Sequence, residues 1–114
     1  MKKLTVDQLV AIQDLEENSL IAKVDIEFQK GLSRIIITSI VGTSQSEVDS
    51  VLNEALGDVF PGLEYMGSPA KYTNPIDGIN QELYYLNYEG ETLFYLIMRL
   101  GHEWSALDIV RQDA

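Results

Sequence analysis

Residues 83–110 read LYYLNYEGETLFYLIMRLGHEWSALDIV, and two glycine turns within this stretch decide the fold class. Glu89-Gly90 suits a tight hairpin pairing Tyr88 with Glu91, which sets Tyr85 opposite Phe94 and Leu83 opposite Leu96. Gly101-His102 suits a second hairpin, because glycine at the first central position is what a type II′ turn needs. That register pairs Leu96 with Leu107 and Phe94 with Ile109. Together the two turns predict a three-stranded meander with Leu83, Tyr85, Phe94, Leu96, Met98, Leu107 and Ile109 on one face. The opposite face then carries Tyr84, Leu86, Leu93, Tyr95, Ile97, Arg99 and Trp104, so the central strand is apolar on both sides and both need cover. Trp104, Leu107 and Val110 also fit a helix at three-residue spacing, but the strand agrees with both turns and is the expectation here.

Upstream, Thr5 and Gln8 match a capping box, and Leu4, Leu9, Ile12 and Leu15 supply the apolar arc of a helix to about Glu17. From Ile21 the period falls to two: Ala22, Val24, Ile26 and Phe28 alternate with Lys23, Asp25, Glu27 and Gln29, as in a strand with one wet face. A turn at Lys30-Gly31 and the β-branched run Arg34–Val41 complete an antiparallel hairpin. Ser46 is the expected cap of a second helix, striped by Val48, Val51, Leu52, Ala55 and Leu56 and stopped at Gly57. Residues 57–78 hold four glycines and all three prolines, which predicts mostly loop with a short strand at Leu63–Met66. The expected fold is α+β: one domain over residues 1–114, with two helices packed on a mainly antiparallel sheet of about five to six strands, in the order α-β-β-α-β-β-β-β.

The chain has no cysteine, which removes disulfides, thiolate metal sites and cysteine nucleophiles together. The longest apolar run, LFYLIM at 93–98, is too short to span a bilayer as a helix, and the N-terminus lacks a signal-peptide core, so the cytoplasm is the expected compartment. Eighteen acids against eight bases give a net charge of −10, which opposes phosphate backbones and anionic membranes. Residues 35–98 contain nine acids and one base, Lys71. Within them Glu47, Ser50, Glu54 and Asp58 lie at helical spacing away from the apolar stripe, with no base interleaved.

Catalytic patterns are missing by contrast. The single histidine, His102, falls at a predicted hairpin tip, and HExxH, GxSxG, GxxxxGK[ST] and GxGxxG do not occur. The close carboxylate pairs Glu16/Glu17, Asp25/Glu27 and Glu47/Asp49 read as ordinary solvated acids. The expectation is therefore a non-enzymatic protein, without metal or cofactor, that acts by binding another macromolecule in the manner of an inhibitor, immunity protein or accessory factor. Its expected partner is a protein with a basic surface, such as a nucleic-acid-binding protein. The candidate contacts are Glu47, Glu54 and Asp58 on the acidic helix, Tyr72 in the loop, and Tyr84, Tyr95, Arg99 and Trp104 on one sheet face. Two alternatives are a pocket-bearing small-molecule binder or enzyme, and a homodimer that closes the doubly apolar sheet across a two-fold axis.

Overall fold

The computed structural model describes residues 4–29 and 32–101. Its elements are α1 (Val6–Asp14) with a 3₁₀ turn (Leu15–Glu17), β1 (Ile21–Gln29), β2 (Leu32–Ser39), α2 (Gln45–Leu56), β3 (Glu64–Thr73), β4 (Asn80–Tyr88) and β5 (Glu91–Gly101). The five strands form one mixed sheet in the order β1-β2-β5-β4-β3, antiparallel throughout except for the parallel pair β2 and β5.

The α+β class, the two helices and the β1–β2 hairpin stand as expected; the C-terminal meander does not. Both edges of β5 are taken, by β4 on one side and by β2 on the other, where Ile35 pairs with Phe94 and Thr38 with Ile97. The slot assigned to residues 103–111 is thus filled by a strand about 60 residues upstream, a long-range parallel pairing that leaves no local mark in sequence. Residues 103–111 themselves lie outside the described residues.

The β4–β5 register is the second correction. Tyr88 pairs with Glu91 as the turn dictates, but the register shifts between Leu86 and Asn87, so that Leu86 faces Phe94 and Tyr84 faces Leu96. One extra residue in a strand reverses every side chain beyond it. The core face is accordingly Tyr84, Leu86, Phe94, Leu96 and Met98 with Ile35 and Ile37, and it packs against Ile12, Leu15, Val48, Leu52, Leu56 and Phe60. Phe60 meets Tyr88 and Phe94 edge to face, each with ring centroids 5.1 Å apart. Leu83, Tyr85, Tyr95 and Ile97 turn the other way, to the sheet face opposite the helices, and are half-buried.

Smaller departures have equally local causes. The Thr5 capping box forms as read, with Gln8 N donating to Thr5 Oγ1 at 3.1 Å. At α2 the cap is Ser44, not Ser46, because Glu47 then sits at the third helical position and its Oε1 accepts from Ser44 N at 3.2 Å. The segment read mostly as loop contains β3, ten residues long, with an irregularity between Met66 and Ala70 where Gly67 and Pro69 interrupt the ladder. β2 ends at Ser39, earlier than its β-branched run suggests, and leaves Ile40 and Val41 exposed.

The β4–β5 turn carries a measurable strain. Glu89 (φ 52°) and Gly90 (φ 84°) both occupy the left-handed region, as a type I′ turn requires. Glutamate is a poor occupant of that region and asparagine a good one, so Glu89→Asn is expected to stabilise the fold by about 0.5–1 kcal/mol. An unchanged urea midpoint would mean that the interactions of the Glu89 side chain offset the strain.

Candidate functional site

The expected contact residues do not converge on one surface. Tyr84 is 5 % exposed in the core, and its hydroxyl lies 3.1 Å from both Gln45 Oε1 and Glu82 Oε1, away from the face predicted for it. This follows from the register shift, which sends Tyr84 to the helix side while Tyr95 and Arg99 stay on the opposite face. There Tyr95 packs on Tyr85 at 5.4 Å with Arg34 above its ring at 5.1 Å, and Arg99 forms an ion pair with Asp77. Tyr72 stands on edge strand β3 rather than in a loop, and its hydroxyl accepts from Gln81 Nε2 at 2.9 Å. Trp104 and His102 lie outside the described residues.

A group of buried polar residues, which sequence reading missed, closes one end of the sheet. Ser39, Thr43, Asn80, Gln81 and Glu82 are all at least 95 % buried. Ser39 Oγ accepts from Arg99 N at 3.0 Å and donates to the Ile40 carbonyl, replacing ladder bonds where β2 ends. Glu82, 1 % exposed, lies 4.0 Å from Lys71 Nζ. The sequence signal was present in Asn80-Gln81-Glu82, a polar triplet opening an otherwise apolar strand, and in Lys71 as the one base of residues 35–98. Next to this group, the Asp77 carboxyl is held below the usual carboxylate range, first by the Ile79 backbone N–H and then by Arg99.

The helix layer has a different character. The segments 4–20 and 40–63, which carry α1, the 3₁₀ turn and α2, contain Asp7, Asp14, Glu16, Glu17, Glu47, Asp49, Glu54 and Asp58 and no lysine or arginine. Of the candidates here, Glu54 and Asp58 are exposed, whereas Glu47 is engaged in the Ser44 cap, and those bonds lower its pKa. Asp49 is half-buried on α2 and accepts from the Tyr65 hydroxyl. Burial pushes its pKa up.

A raised folded-state pKa means that ionised Asp49 opposes folding at neutral pH, an effect that disappears as the pH falls below its folded-state value. Asp49→Asn keeps an acceptor for Tyr65 and removes the buried charge. It is expected to melt higher at pH 7, with the difference closing in acid, as thermal unfolding across pH would show.

Three of the four described lysines and arginines lie on the other face of the sheet, the exception being Lys71 opposite the core-facing Glu82. Lys23 pairs with Asp25 and Arg34 with Glu27 on the sheet face away from the helices, where Arg99 also lies, and Lys71 serves Glu82. Among the described residues, the cations of the outer sheet face are thus paired with acids, whereas the segments carrying α1 and α2 hold acids and no lysine or arginine. A cleft of 390 Å³ runs between α1 and α2 on the acidic side, lined chiefly by Asp7, Val10, Ala11, Asp14, Val51 and Glu54.

Among the described residues, no group of three or more His, Asp or Glu side chains is placed to hold a metal ion, and no helix is long and apolar enough to cross a membrane. No protein-family model, curated protein or solved structure matches the chain.

Proposed function

We propose that the protein acts by binding another macromolecule, a protein with a basic surface, through its acidic helix layer, and not by catalysis. The observation that carries this reading is where the acids sit. Carboxylates are unfavourable at helix C-termini, where the macrodipole favours lysine or arginine by about 0.3–1 kcal/mol per charge. Yet α1 ends on Asp14 followed by Glu16 and Glu17, Glu54 lies in the last turn of α2 with Asp58 just beyond, and neither helix has a base in its last turn. A local rule broken at both helix ends, on one surface, is the pattern expected where binding rather than stability selects the residues. Solubility alone would be served by acids at the helix N-termini, without opposing the dipole.

The test is Asp14→Lys/Glu54→Lys/Asp58→Lys, which spares the Ser44–Glu47 cap. The dipole argument predicts that this variant folds at least as well as the parent. Bead-bound parent should capture one or more basic proteins from the native host, and the variant should not, while Lys23→Glu/Arg34→Glu on the opposite face should capture them normally. Equal capture by parent and helix-layer variant would refute the reading and leave solubility as the role of the charge.

A further inference from the structure

We infer that the cleft between α1 and α2 receives an amphipathic basic helix, seating one apolar ridge in the groove with lysine or arginine flanking it. This rests on the binding role proposed above and specifies its partner. The groove follows from spacing: Asp7, Val10, Ala11, Asp14 and Leu15 form one helical stripe of α1, and Val51, Glu54 and Ala55 form the facing stripe of α2. Ala11 and Ala55 are too small to fill the space where the two stripes meet, which leaves the cleft open above the buried Leu15.

Its walls and rim differ in chemistry. Val10, 48 % exposed, presents apolar surface at the α1 wall. Asp7, Asp14 and Glu54 rim the same opening, all exposed and none paired with a cation among the described residues. Asp7 and Asp14 are seven residues apart, about 10.5 Å along the helix axis, which matches bases two turns apart on a helix lying along the groove. Glu54 meets such a helix from the other wall. An apolar floor with an acidic rim selects a cation-flanked apolar ridge over either feature alone.

The probe is a labelled peptide of about 20 residues, long enough to form a helix, with leucines at i, i+3, i+4 and i+7 flanked by lysines, together with a scrambled isomer of the same composition. At about 0.1 M salt the striped peptide should bind the parent at least about tenfold more tightly than the scramble. Ala11→Leu/Ala55→Leu fills the cleft and should abolish that preference while leaving the weaker binding of the scramble unchanged. Val10→Glu, at an exposed position that cannot disturb the core, adds negative charge but removes an apolar wall. It should weaken the preference, whereas attraction by charge alone would tighten both peptides. Equal affinity for the two peptides, or a preference that survives the filled cleft, overturns the groove and leaves the acidic-surface reading standing. Binding of neither peptide overturns both.

Discussion

Phe94→Ala is expected to remove about 3–5 kcal/mol of stability, a large share of the roughly 5–15 kcal/mol that holds a domain of this size together. Phe94 is 1 % exposed and sits where the parallel and antiparallel halves of the sheet join, between Ile35 of β2 and Leu86 of β4. Its ring also receives Phe60 edge to face, which ties the segment after α2 to the sheet. Truncation therefore opens a cavity at a point where three elements meet and none can collapse into it independently. Urea denaturation should show a lower midpoint. A loss below about 1 kcal/mol would mean that Phe94 is not at the junction described.

The buried ion pair gives the second large effect. Lys71→Met removes the cation beside the Glu82 carboxylate, which is 1 % exposed, and removal of one partner of a buried pair typically costs about 3–5 kcal/mol. Lys71 keeps some contact with water, so about 3 kcal/mol is expected. Adding Glu82→Gln should restore most of the loss, because an uncharged amide has no ion to compensate and still accepts from Tyr84. A double-mutant cycle checks this directly. Additive losses would show that Glu82 is compensated by groups other than Lys71.

The local parts of the fold were legible in sequence. The Thr5–Gln8 box, the period-two run from Ile21 and the Glu89-Gly90 turn each depend on residues a few positions apart, and each forms. What failed was non-local. The partner of β5 on its second edge is β2, and a parallel pair has no turn to announce it. The shift at Leu86/Asn87 leaves Leu93 of β5 without a partner in β4, and that one residue places Tyr84 in the core and not on the predicted contact face. The α2 cap was misread because Ser44 and Ser46 both satisfy the residue preference, and only the placement of Glu47 separates them.

The acidic character of α2 was visible from spacing, but its partner surface on α1 was not. Asp7 and Asp14 join that surface only because the fold sets α1 beside α2. Among the described residues, the contrast between a charge-paired sheet face and two helices without a base arises only once the chain is folded.

The most direct test of that opposition is the affinity of the first basic protein captured, titrated calorimetrically into the parent and into the Asp14→Lys/Glu54→Lys/Asp58→Lys variant at about 0.01 M and about 0.15 M salt. The account predicts that reversal weakens binding at least about a hundredfold at low salt and that the parent loses affinity as salt rises. Parent and variant affinities that agree at both salt concentrations would contradict it.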